Sequence, residues 1–211
     1  MRMVAKFTKG EEVKYISHLD MQRLLQRAFR RSELPIAYSA GFNPHPIMSI
    51  ALALPVGVVS CAEYLDSELL SDITPDEFMR KINGALPVGV RVLRAEAAEK
   101  NMSLTSLVEF AEYLIKAEGK DIESKIQETL SKNEILEQKK GKSGMREIDI
   151  RPLIVKLENR EDGIYALLKS SSAETLSPQL LIKSVFGQEN ASILRTELYT
   201  KDMRELIDSV I

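Results

Sequence analysis

Apolar and polar residues alternate over 2–8: Met3, Ala5 and Phe7 fall on one side and Arg2, Lys6 and Thr8 on the other, the period of a half-buried strand. Val13 and Ile16 read as a continuation or return of it. From Ser17 the period changes. Met21, Leu24, Leu25, Ala28 and Phe29 recur at helical spacing and form one apolar stripe, while Ser17 stands three residues before Asp20 as a weak capping box. Leu34-Pro35 closes this helix, because the residue before a proline is pushed out of helical geometry. Residues 38–46 are too rich in Gly and Pro for regular structure and read as a polar loop.

The apolar run 47–54 predicts a buried strand. Pro55 and Gly57 fit the second and fourth positions of a type I turn over 54–57, and a strand follows at 62–65. Thr74-Pro75-Asp76-Glu77 combines a cap, a first-turn proline and an acid three residues after the cap, so a helix begins there. It should end near Asn83-Gly84, before a strand over 90–97. The pentapeptide Leu-Pro-Val-Gly-Val occurs at 54–58 and again at 86–90, which we read as repeated turn grammar. After the polar stretch 99–103 the order recurs: a strand over 108–117, a helix over 121–130, a doubtful strand at 135–138, and a hairpin of 154–157 with 164–168 around Asp162-Gly163. Ser177-Pro178 opens a helix that stops at Gly187, residues 193–199 form a strand, and Met203, Leu206, Ile207 and Val210 mark a closing helix.

The expectation is an α+β protein of two tandem ferredoxin-like (βαββαβ) units with a C-terminal helix. One unit covers 1–100 and the other 104–211.

Charge refines this outline. Residues 1–60 hold eight Lys/Arg against four Asp/Glu, a local +4 that leaves −6 for the remainder of a chain whose net charge is −2. An acidic body with a basic patch argues against indiscriminate nucleic-acid binding and for a local phosphate-holding face. That face is the side of the first helix carrying Arg23, Arg27 and Arg30, with Arg31 at its flank and Lys6 on a neighbouring strand; pairing with Asp20 or Glu33 is the competing reading. In the loop that follows, Tyr38 and Phe42 offer stacking faces, Asn43 and His45 offer hydrogen bonds, and Gly41 permits close backbone approach, a set suited to a nucleotide. Anchoring of the loop by Phe42 and a structural role for His45 are the alternatives. A second basic stretch, 139–146, reads as a phosphate contact or as a solvated hairpin tip.

The two histidines, His18 and His45, invite an acid–base reading in which RNA is cleaved without a metal; two histidines do not by themselves make a nuclease, and an endoribonuclease using His18 or His45 is the alternative to a binding protein. No nucleophile triad, phosphate loop or HExxH pattern is present. Cys61 is the single cysteine, which excludes an internal disulfide and any Cys-based cluster held by this chain alone. No apolar run reaches the roughly 18 to 20 residues that span a bilayer. The expectation is a cytoplasmic protein with no membrane contact and no cofactor or metal of its own.

The runs Tyr15-Ile16-Ser17-His18-Leu19-Asp20, Arg27-Ala28-Phe29-Arg30-Arg31, Tyr38 to Pro46, Leu54-Pro55-Val56-Gly57, Glu63-Tyr64-Leu65-Asp66, Asp149-Ile150-Arg151-Pro152 and Arg195-Thr196-Glu197 resemble the radical-SAM-linked protein family, a bacterial domain of unknown function. Members are fused to, or encoded beside, radical-SAM proteins. The resemblance therefore implies a partner in trans that carries the iron-sulfur cluster, and it supplies no residue-level activity. Taken together, the expectation is a subunit not catalytic by itself, which binds RNA or presents substrate to a radical-SAM enzyme in RNA modification such as tRNA modification. His18, Arg23, Arg27, Arg30, Tyr38, Phe42, Asn43 and His45 would form its surface. A protein–protein adaptor using the arginine face is a third reading.

Overall fold

A computed structural model describes residues 1–98, 103–117, 119, 121–141, 144–188 and 190–210. In chain order the elements are β1 (Arg2–Lys9), α1 (His18–Ser32), β2 (Met48–Ile50), β3 (Val59–Glu68), α2 (Pro75–Ala85), β4 (Val92–Ala98), α3 (Leu104–Leu107), β5 (Phe110–Lys116), α4 (Ile122–Ser131), β6 (Leu136–Gly141), β7 (Gly144–Asp149), β8 (Ile154–Arg160), β9 (Gly163–Lys169), α5 (Pro178–Phe186) and β10 (Ser192–Tyr199). The protein is mixed α+β, with its registered strand pairs antiparallel. It divides into two compact units, one of Met1–Val108 with Glu197–Ile211 and one of Glu109–Thr196. The sequence expectation of a second half running from 104 to 211 differs in its end: β10 crosses the division, and the chain beyond Thr196 belongs to the first unit.

In the first unit β1 lies between β3 and β4, and β2 pairs with β3. Register sets Ala5 opposite Leu65 on one side and Ala95 on the other, so the alternation along β1 delivers Met3, Ala5 and Phe7 to one buried face. That face meets the stripe of α1 (Met21, Leu25, Ala28, Phe29) and Phe78 and Ile82 of α2. The Phe29 and Phe78 rings are tilted with centroids 6.1 Å apart, and each fully buried large side chain contributes roughly 1.5–3 kcal/mol relative to exposure. Ser17 caps α1 by accepting from the Asp20 amide at 3.2 Å, and Thr74 caps α2 from Glu77 at the same distance. Glu33, at φ 55, turns the chain left-handed and ends α1 ahead of Leu34-Pro35. α2 runs two residues past Asn83, whose amide instead exchanges two hydrogen bonds with the Val92 backbone.

Four expectations for this unit change. Residues 13–16 do not extend β1, because a 3-10 turn at Glu11–Val13 bends the chain into α1. The run 47–54 supplies a strand of only three residues. The turn at Pro55 is shifted by one: the Val58 amide donates to the Pro55 carbonyl at 3.3 Å and Gly57 has φ 86, which puts glycine third, as a type II turn requires. The second Leu-Pro-Val-Gly-Val copy makes the same turn, with Val90 donating to Pro87 at 3.2 Å and Gly89 at φ 89. Both turns hold the β1–α1 connection, through Gly57 to the Lys14 carbonyl at 2.9 Å and through Gly10 to the Gly89 carbonyl at 2.7 Å. The closing helix contracts to a 3-10 turn at Leu206–Ser209. Tyr199 bridges Glu205, Thr200 donates to the Arg204 carbonyl and Met203 adopts φ 58, so a hairpin uses the residues a longer helix would need.

In the second unit β9 lies between β5 and β8, and β10 flanks β5. The hairpin around Asp162-Gly163 forms as expected, with Arg160 opposite Gly163. Ser177 caps α5, and Gly187 at φ 67 ends it. The doubtful strand at 135–138 is the start of β6, which pairs with β7 as a separate ribbon. Asp149 anchors that ribbon by accepting from the Ile135 and Arg151 amides at 2.8 and 2.9 Å. The Arg151 guanidinium donates to the carbonyls of Leu130, Lys132 and Ile154, so the Asp-Ile-Arg-Pro run is a structural mount. Within the basic stretch 139–146, Lys142 and Ser143 lie outside the described residues, as do 99–102 of the earlier polar stretch. A short helix, α3, precedes the strand expected at 108–117 and has no counterpart in the sequence pattern.

Candidate functional site

The α1 face carries its three arginines as the helical phase requires. Arg23, Arg27 and Arg30 are exposed, seven residues from first to last, or roughly 10 Å of helix. Their surroundings differ. The Arg23 guanidinium meets the Asp20 carboxylate at 3.1 Å, and Asp20 also accepts from the Ser17 hydroxyl at 2.8 Å. The Ser17 hydroxyl and then Arg23 hold the Asp20 carboxyl below its ordinary value. Arg27 and Arg30 make no ion pair among the described residues. Like charges three and four residues apart on a helix repel, so this row is costly to the helix unless an anion meets it. Arg31 is engaged elsewhere, because its guanidinium donates to the Ala85 carbonyl at 2.6 Å and caps the end of α2.

The loop 38–46 is a closed hairpin. Tyr38 bridges Pro46, Ser39 N donates to the His45 carbonyl at 2.9 Å, and His45 N donates to the Ser39 hydroxyl at 3.2 Å. His45 Nδ1 lies 3.1 Å from the Asn43 carbonyl and 3.3 Å from the Ser39 hydroxyl, which leaves Nε2 as the nitrogen able to meet a ligand. Pro46 is buried at the base, whereas Phe42 at the tip is fully exposed (111%) and Tyr38 is 43% exposed. Anchoring by Phe42 is thus replaced by anchoring through Pro46, Ser39 and His45. Gly41, at φ 117, makes the tip with nothing near its missing side chain.

His18 is half-buried at the first position of α1. Among the described residues no hydrogen bond joins it to His45, no group of three His, Cys, Asp or Glu is arranged to hold a metal, and no helix is long and apolar enough to cross a membrane.

Sequence reasoning missed a polar cluster on the sheet face opposite the helices. Lys6 Nζ pairs with Glu197 Oε2, the Tyr64 hydroxyl donates to Glu197 Oε1, and Glu205 lies 3.4 Å from Lys6. Lys6 is therefore consumed inside the fold and adds nothing to the arginine face. Burial pulls the Lys6 ammonium down, but the hydrogen bond and charge of Glu197 outweigh it and the net shift is upward. Burial pushes both the Glu197 carboxyl and the Tyr64 phenol up. A second pair, Arg94 with Asp208 at 2.7 Å, joins the same terminal segment to β4. The signals were Lys6 on the polar side of β1 and the family-like runs that hold Tyr64 and Glu197; nothing local joins the three.

No curated protein matches this chain. The model of the family described as "Uncharacterized protein conserved in bacteria (DUF2344)" matches residues 2–180, and the chain belongs to that family.

Proposed function

We propose that the α1 face and the 38–46 loop form an RNA-binding surface of an accessory subunit, which presents RNA to a radical-SAM enzyme acting in trans in RNA modification such as tRNA modification. The observation that carries this reading is the pair Arg27 and Arg30, exposed and in no ion pair among the described residues, on a helix followed in the chain by a hairpin whose tip is a fully exposed Phe42. Arginine offers phosphate a planar fork of donors that never loses its charge, and an exposed aromatic stacks on a base without sequence preference. Arg27 and Arg30 hold phosphates, Arg23 joins them by exchanging Asp20 for phosphate, and Tyr38, Phe42, Asn43, His45 and His18 contact the nucleotide. The radical-SAM partner rests on the family resemblance and the cytoplasm is its compartment. The same reading takes both units as ferredoxin-like. It is supported by the strand orders β4-β1-β3-β2 and β10-β5-β9-β8, with β6–β7 as an insertion in the second.

Purifying the native protein from cells and examining what accompanies it tests the proposal. RNA together with an iron-sulfur polypeptide is the expected result. A polypeptide retained after nuclease treatment with no RNA at all would favour the adaptor, and cleavage of labelled RNA by the pure chain would favour the endoribonuclease.

A further inference from the structure

On the sheet face opposite the helices, the β2–β3–β1 edge of the first unit holds an open groove of about 360 Å3, within the size of small-ligand sites. Register sets Ser49 opposite Asp66 and Arg2 opposite Glu68, so these four side chains share one side. Arg2 and Asp66 satisfy each other through two parallel contacts of 2.6 and 2.5 Å. The Glu68 carboxylate is exposed and, like the Ser49 hydroxyl, makes no side-chain hydrogen bond or ion pair among the described residues. Ile47 supplies the apolar part of the lining on this side, whereas the Met48 side chain, opposite Ser67, turns to the core under the helices.

We propose that this groove takes an unpaired nucleobase that presents adjacent N–H donors, guanine above all. The inference rests on the RNA-binding reading above and adds to it a base-selecting site. The groove's guanidinium is held by Asp66 and the Met1 amino group donates to the Leu69 carbonyl at 2.7 Å, so both cations are already committed. What remains open is a carboxylate and a hydroxyl beside the apolar Ile47 side chain. Guanine offers N1–H and the N2 amino group side by side, matching the two oxygens of Glu68, and its ring lies against Ile47. Adenine and cytosine present one amino group and fit less well. Uracil offers a single N–H between two carbonyls that would face the carboxylate, and fits worst.

The test uses the full chain labelled at its isoleucine δ1 methyl groups, with the Ile47 signal identified by Ile47→Val, and titrates it with uncharged guanosine, adenosine, cytidine and uridine. Guanosine should shift the Ile47 signal at concentrations about tenfold or more below those needed for uridine, the discrimination of one bidentate contact. Glu68→Gln, at an exposed position, should erase that preference. Arg27→Ala with Arg30→Ala should keep it. The inference is overturned if guanosine and uridine act alike, if no nucleoside moves the signal, or if only an arginine-containing peptide does. A guanosine response in a protein that binds no RNA would uphold the groove and remove the phosphate-tracking surface instead.

Discussion

The Lys6 ammonium on β1 pairs with the Glu197 carboxylate 191 positions later, and the pair is buried, with side-chain exposures of 16% and 6%. Tyr64 and the Leu198 amide also donate to Glu197, so removing that carboxylate strands the phenol and leaves Lys6 only the more exposed Glu205 at 3.4 Å. Glu197→Ala should cost about 3 kcal/mol of stability, because it removes the main partner of a part-buried lysine and the acceptor of a buried phenol together. The joint replacement Lys6→Met with Glu197→Leu should cost less than Glu197→Ala alone. Denaturant unfolding of the three variants checks the order.

The same cluster predicts loss of stability in alkali. Lys6 and Tyr64 both have folded pKa values above their unfolded ones. The unfolded chain therefore releases these protons first, and the stability they contribute is complete below about pH 10 and falls as pH rises beyond it. Tyr165, pushed up to about 12 by burial and then by Glu112, acts in the same direction. In an absorbance titration of the phenols, Tyr64 should ionise only as the protein unfolds, and Tyr64→Phe should remove that step.

Two copies of one pentapeptide should respond differently to the same change. Alanine at Gly57, at φ 86 with only Tyr15 at 3.9 Å from a new Cβ, meets backbone strain of about 1–2 kcal/mol. Alanine at Gly89 meets that strain and also Glu12 Oε2 at 2.8 Å, with the Val13 side chain at 3.3 Å. The Glu12 carboxylate can swing aside but the Glu12 Cβ at 3.2 Å and Val13 cannot do so as freely, so Gly89→Ala should melt below Gly57→Ala.

Phe42→Ala should leave unfolding unchanged within about 0.5 kcal/mol, since the ring touches no core. It should nonetheless weaken single-stranded RNA binding by about 1–3 kcal/mol, the worth of one stacked base. Parallel melting and binding measurements separate the two.

Local chemistry explains which features the sequence disclosed. Ser17, Thr74 and Ser177 each cap the helix they precede, and Asp162-Gly163 makes the hairpin, because these signals act within a few residues. The arginine face of α1 was legible for the same reason, as helical phase is a property of the run itself. Arg31 was not separable from it, because its partner is the Ala85 carbonyl, 54 positions away. The same distance effect hid the Lys6–Glu197 pair and the membership of 197–211 in the first unit. The one-residue shift of the Pro55 turn had a local cause that composition leaves open: glycine suits the fourth position of one turn type and the third of another.

Binding of a single-stranded RNA oligonucleotide at salt concentrations from about 50 to 200 mM, with the native protein and Arg27→Ala/Arg30→Ala side by side, tests the RNA-binding surface most directly. The account predicts that affinity falls steeply with salt in the native protein, and that the slope loses about 0.7 for each arginine removed. Salt-insensitive binding, or an unaltered slope in the double variant, would contradict it.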